Sequence, residues 1–168
     1  FFASIMILLD KPFEVGDSIV VGTEHVGVVE AVGLKTTRLR SVGGEELIMP
    51  NSDLLQSRIR NFKRMEERRL LTRIGVLYET PREKLLQIPT WIQQIVISQN
   101  KTRFEKAHFV HFGASALEFE FVFFVKSADS KLALDIQEQV YLQLMKKFEE
   151  ESVEFAYPTL MIKKDPLG

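Results

Sequence analysis

The spacing of apolar positions changes character along the chain, and each change marks an element. The chain opens on Phe1-Phe2-Ala3-Ser4-Ile5-Met6-Ile7-Leu8-Leu9, an apolar run that breaks at Asp10-Lys11-Pro12. A membrane-spanning helix takes roughly 20 apolar residues, so this run cannot cross a bilayer alone. It lacks the basic start and small-residue cleavage site of a signal peptide. Two readings stand: an amphipathic or buried N-terminal helix, or the end of a longer apolar helix, stopped by Pro12 with a basic residue at the water boundary.

Residues 13 to 62 read as short strands with tight turns. Ser18-Ile19-Val20-Val21 ends at Gly22, and the β-branched stretch Val26 to Val32 is punctuated by Gly27 and Gly33. Thr36 to Val42 alternates, which places Thr37, Leu39 and Ser41 on one face and Arg38 and Arg40 on the other. Gly43-Gly44 is a hairpin turn signal, and Glu45 to Met49 is the return strand. Pro50 closes it, Asn51 or Ser52 is placed to cap a short helical turn, and Arg58 to Phe62 reads as a further strand. So many short strands in about fifty residues predict a small barrel.

Lys63 to Arg69 is a charged run without apolar period, a solvated linker that sets a domain boundary near residue 65. Beyond it the periods lengthen. Leu70 to Tyr78 is a predicted strand, and Thr80-Pro81-Arg82-Glu83 reads as a capping box with proline at the first helical position. Leu85, Ile88, Ile92 and Ile95 follow at helical spacing, with Pro89 inside the helix. Residues 104 to 112 form the next strand, Gly113-Ala114-Ser115 a turn, and Ala116 to Lys126 a strand. There Leu117, Phe119, Phe121, Phe123 and Val125 share one face. With Asp129 or Ser130 as cap, Ala133, Ile136, Val140, Leu144 and Phe148 mark a last helix. Leu160-Met161-Ile162 is a final short strand between Pro158 and Pro166. The order β-α-β-β-α-β is the ferredoxin-like arrangement.

Composition narrows the chemistry. Formal net charge is −1 over 168 residues, which gives no global electrostatic case for nucleic acid. The absence of cysteine removes disulfides, thiolate catalysis and cysteine zinc sites. Of the three histidines, His108 and His111 stand three apart on a predicted strand and so are expected on opposite faces, unable to share a metal. No nucleophile elbow, His-Glu-x-x-His helix or phosphate loop is present, and no catalytic, metal or cofactor residue is assigned. From Lys35 to Arg73 ten basic residues stand against five acids, with Arg38, Arg40, Arg58 and Arg60 as a candidate basic face. A solvated, partly neutralised surface is the plain reading of it, with single-stranded RNA binding as the rival. Against RNA, Phe13 and Phe62 are the only aromatics in residues 11 to 65.

Three stretches, in this order, resemble the small-conductance mechanosensitive (MscS-type) channel family. They are Lys11-Pro12-Phe13-Glu14-Val15-Gly16-Asp17; then Thr37-Arg38-Leu39-Arg40, a glycine turn and Ile48-Met49-Pro50-Asn51-Ser52; then Gly113-Ala114-Ser115 before a long strand, with a late Tyr157-Pro158. The resemblance implies an α+β chain: a small Sm-like β-barrel over residues 11–65, a ferredoxin-like α/β sandwich over 66–157, and an oligomerisation strand over 158–168. Residues 1–10, with Ile5, Leu8 and Leu9, would be the cytoplasmic end of a pore-lining helix. Pro12, Phe13, Gly16, Asp17, Pro50, Asn51, Ser52 and Gly113 would be structural motif residues, and Leu160, Met161 and Ile162 the assembly strand. Also implied are a homo-heptamer in the cell (inner) membrane, with this region cytoplasmic, and passage of ions and small solutes in hypo-osmotic shock. Glu14 departs from the family pattern, which often carries a basic residue there. The competing class is a soluble ring-forming Sm-like scaffold or RNA-binding protein.

Overall fold

The structure, a computed structural model, describes residues 2–158 and divides into two units between Glu66 and Glu67. In the first, α1 (Phe2–Asp10) precedes β1 (Ser18–Val21), β2 (His25–Val32), β3 (Thr36–Ser41) and β4 (Glu46–Pro50). A short helix α2 (Asn51–Gln56), β5 (Ile59–Asn61) and a 3-10 turn (Phe62–Arg64) follow. The strands form one antiparallel sheet in the order β4-β3-β2-β1-β5.

Period-two patterning decides which side chains face inward. On β3, Thr37 and Leu39 are buried and Arg38 and Arg40 point away. Ile19, Val21, Val29, Leu39 and Leu54 pack with Phe13 and with Ile7 of α1 into one cluster. Each contributes roughly 1.5–3 kcal/mol relative to exposure. The Gly43-Gly44 turn closes as expected: Gly44 N–H donates to the Ser41 carbonyl at 3.0 Å, and Gly44 sits at φ +93°.

Two local expectations fail in this unit. Neither Asn51 nor Ser52 caps α2. Pro50 stands at the cap position in extended conformation, with no side-chain cap bond, and Asn51 is turned into the core instead. The strand after Arg58 is also shorter than expected. It covers Ile59–Asn61, because the Asn61 side chain accepts the Lys63 N–H and turns the chain into the 3-10 segment.

The second unit runs β6 (Arg68–Val76), α3 (Arg82–Ser98), β7 (Thr102–Phe112), β8 (Leu117–Val125) and α4 (Ser130–Glu150). Its antiparallel sheet has the order β6-β8-β7. The odd-numbered residues of β8 are all buried, against Ile88, Trp91, Ile92 and Val96 of α3 and Ala133, Val140, Leu144 and Phe148 of α4. Asp129 caps α4, its carboxylate accepting the Lys131 N–H at 2.9 Å. After α4 the chain returns to the free edge of β6. Phe155 bridges Val76, Leu77 N–H donates to the Glu154 carbonyl and Ala156 N–H to the Gly75 carbonyl. The expected strand at Leu160, Met161 and Ile162 lies outside the described residues.

The capping box at Thr80 does not form. Pro81 is the cap residue of α3, its carbonyl accepting from Lys84 and Leu85. Thr80 is then one residue too early to reach the orphan amides, and its hydroxyl donates to the Leu77 carbonyl at 2.6 Å. The expectation that His108 and His111 take opposite faces is also overturned. Register shifts after Phe104 and after Phe109 put two extra residues, Glu105 and Val110, into β7, and the second lies between the histidines, so His108 pairs with Glu120 and His111 with Glu118. The bulge carries both histidines to the same face as those two glutamates. Among the described residues, no cluster of ligating side chains is close enough to hold a metal ion.

Candidate functional site at the junction of helix and barrel

Two polar clusters fasten α1 and the chain after it to the sheet of the first unit. The first centres on Asn51, which is 1% exposed. Its Oδ1 accepts the Thr37 hydroxyl at 2.7 Å, and its Nδ2 donates to Ser4 Oγ at 3.1 Å and to the Gly33 carbonyl at 2.9 Å. Ser4 in turn donates to the Leu34 carbonyl, and Asn51 N–H donates to the Lys35 carbonyl at 2.8 Å. One amide thus joins α1, β3 and the turn between β2 and β3. Ser4 and Thr37 are buried as well, so every member would cost free energy if left unpaired.

The second cluster centres on Asp17, 4% exposed. Its carboxylate accepts the Glu14 N–H at 3.0 Å and Asn61 Nδ2 at 2.7 Å, and Lys63 Nζ lies 3.2 Å away. Burial pushes this carboxyl up. The donors from Asn61, the Glu14 amide and Lys63 outweigh burial and hold it below the ordinary aspartate value. Asn61 also donates to the Pro12 carbonyl at 3.3 Å, and Arg64 donates to the Lys11 carbonyl at 2.6 Å. The turn from Lys11 to Asp17 is therefore clamped from β5 and the 3-10 segment. Lys11 takes φ +43° and Gly16 φ +93°, so the chain bends sharply just after α1.

The motif residues from the sequence come together in this region, with one exception. Phe13 fills the core beside Ile7, while Pro12, Gly16 and Asp17 build the turn. Pro50 and Asn51 sit at the start of α2, with Ser52 exposed next to them. Gly113 belongs to the second unit, in the turn between β7 and β8. There it serves close approach: a Cβ would stand 2.9 Å from the Ala116 carbonyl oxygen. On α1, Ile5, Leu8 and Leu9 are exposed and Ile7 is the buried apolar residue. Sequence reasoning missed Ser4, Thr37, Asn61 and Lys63. The available signals were a lone hydroxyl in an apolar run and a threonine on the inward face of β3.

Residues 1–64 match the family model described as the β-domain of mechanosensitive ion channels, and residues 70–155 the model of the MscS C-terminal region. The chain belongs to the MscS family of mechanosensitive ion channels. It is 35% identical over 164 residues to the small-conductance mechanosensitive channel MscMJ of Methanocaldococcus jannaschii, covering 96% of this chain and 46% of that protein. Identity to the large-conductance channel MscMJLR of the same organism is 31% over 171 residues, covering 97% of this chain and 47% of the relative. This MscS-family chain thus spans about half the length of the curated relatives it matches. The fold matches the crystal structure of Helicobacter pylori MscS in its closed state. The TM-score is 0.78 at 22% identity, covering 98% of this chain and 64% of that one. Among the described residues no helix is long and apolar enough to cross a membrane.

Family membership argues against the ring-scaffold and RNA-binding readings. The geometry adds a reason against stacked bases: Phe13 is buried and Phe62 is half-buried. The basic face is divided. Arg38 and Arg40 stand on β3, whereas Arg58 and Arg60 lie at β5, with β2 and β1 between in sheet order. Arg40 makes a two-pronged contact with Glu30 at 2.8 and 2.9 Å, and Arg38 lies 3.6 Å from Glu46. The Arg40 hydrogen bond holds Glu30 below the usual carboxylate range. The candidate face is thus partly neutralised in place.

Proposed function

We propose that this chain is the cytoplasmic part of a channel subunit that opens under membrane tension and releases ions and small solutes in hypo-osmotic shock. In this reading α1 is the end of a pore-lining helix whose earlier residues cross the inner membrane. Residues 68 to 157 form the wall of a hollow vestibule in a ring of identical subunits, a heptamer. The carrying observation is the Asn51 cluster. A helix end that floated free of the barrel would need no buried three-way amide, whereas a helix that must pass force to the barrel does. Exposed Ile5, Leu8 and Leu9 on the same helix fit a face that packs against neighbouring pore helices. Patch-clamp of the full-length protein in liposomes tests the proposal. Tension-activated current steps are expected, and silence up to lytic tension would overturn it.

A further inference from the structure

The second unit carries two apolar features on opposite edges of its sheet. On the β7 edge Phe109, Val110 and Phe112 form an exposed ridge. Phe112 is 70% exposed and meets Phe109 edge-on with ring centroids 4.9 Å apart. Beyond the opposite edge, β6 and α4 enclose a hollow of about 500 Å³. Ile74, Leu144 and Met145 line it, and Phe155 and Tyr157 form one wall. Its polar groups are already engaged: the Tyr141 hydroxyl bonds Thr72 at 2.7 Å and receives the Gln137 amide at 2.7 Å.

The register relates ridge to hollow. Phe109 and Ile74 both pair with Phe119 of the central strand, so ridge and hollow lie at the same height along the strands. Both face the helix-covered side of the sheet, since Phe119 is part of that core. They are two strand spacings apart, roughly 10 Å. Both edges are partly blocked to strand addition near this height. The β7 edge is interrupted by bulges at Glu105 and Val110, and the β6 edge is taken by the Glu154–Ala156 backbone. The exposed features at this height, ridge and hollow, are both built of side chains.

We infer that the ridge of one subunit fills the hollow of the next, making a head-to-tail contact between copies of this chain. The inference rests on the ring of identical subunits proposed above and says which surfaces the ring uses. A contact between two different patches repeats from copy to copy, and it closes into a ring when the step carries no rise. Ridge and hollow at one height supply that condition about an axis parallel to the strands. A two-fold pairing could also seat each ridge in the other copy's hollow, but it stops at the dimer, whereas the head-to-tail contact continues from copy to copy.

The chain has no cysteine, so introduced thiols in this region are unambiguous. The test uses the full-length protein carrying Phe112→Cys and Met145→Cys, oxidised with copper phenanthroline and resolved on denaturing gels. The double variant is expected to give a ladder extending beyond dimer. Each single variant alone should stay monomeric, and co-expressed single variants should give mixed dimers. Dimers from Phe112→Cys alone, or no ladder from a double variant that still sediments as an oligomer, would overturn the contact. So would capture of Met145→Cys by Leu160→Cys within one subunit, which assigns the hollow to the chain's own end. Tension-gated current without a ladder removes this contact and leaves the channel reading standing; a ladder without current does the reverse.

Discussion

Asn51 uses its carbonyl oxygen and both amide hydrogens inside the first unit, so no truncation is neutral there. Asn51→Ala strands the Thr37 hydroxyl and the Gly33 carbonyl and should lower local stability by about 2–4 kcal/mol. Native-state hydrogen exchange of the β3 amides in the full-length protein measures this, and protection equal to wild type would refute it. Asn51→Asp should be worse at neutral pH, because it points an anion at the Gly33 carbonyl. Asp17 gives a pH dependence with a definite sign. Its folded-state carboxyl titrates below the ordinary value of 3.8, so the folded state binds this proton more weakly than the unfolded chain does. Its contribution is whole above about pH 4–5 and is lost as pH falls through the lower folded value. The stability gap between wild type and Asp17→Asn should therefore narrow between about pH 5 and pH 3, as read by hydrogen exchange across that range. A gap that widened on acidification would contradict the assignment.

Among the elements, β8 was the most legible from sequence, because a sheet buried against helices on one side writes its period into the residues. Leu117, Phe119, Phe121, Phe123 and Val125 are all buried as the alternation required. Helix starts were less legible. A capping residue is recognised by type, but which residue turns the chain is decided by backbone geometry, and prolines 50 and 81 took that position. The bulges in β7 were invisible, since an extra residue leaves no mark in composition and yet flips every side chain beyond it. The Pro-Asn-Ser motif was visible, but its role was not. Capping is a local act, whereas Asn51 works on Ser4, 47 residues away. Gly113 shows the same limit at a turn. Its residue type signalled a bend, while the structure shows that the space is already filled by the Ala116 carbonyl and Glu118. Gly113→Ala should force the β7–β8 turn apart and cost about 1–3 kcal/mol. Faster exchange confined to the ends of those two strands would show it, and an unchanged pattern would not be compatible with the contact.

At the scale of the molecule, the described residues up to Phe155 already pack both cores, with Ile7 to Leu54 in one and Val76 to Phe155 in the other. Removing residues 158 to 168 should thus leave both units folded. The same removal should weaken the oligomer, because Leu160-Met161-Ile162 is a consecutive apolar run whose burial contributes roughly 1.5–3 kcal/mol per side chain. Light scattering and circular dichroism on the truncated full-length protein separate the two halves of that expectation. An unchanged oligomer removes the assembly role, and lost ellipticity places the segment in a core. The separations bridged by the two polar clusters also bear on how the protein is made. Ser4 waits for Asn51, and Asp17 waits for Asn61, 44 residues later in the chain. At about 5–20 residues per second, the ribosome delivers those partners some 2–10 seconds after the helix end has been synthesised. During that interval α1 has only its contacts with the earlier strands, such as Ser4 with the Leu34 carbonyl, and neither amide clamp is in place. Fastening is then the last act of the first unit's synthesis, completed when Asn61, Lys63 and Arg64 have been made.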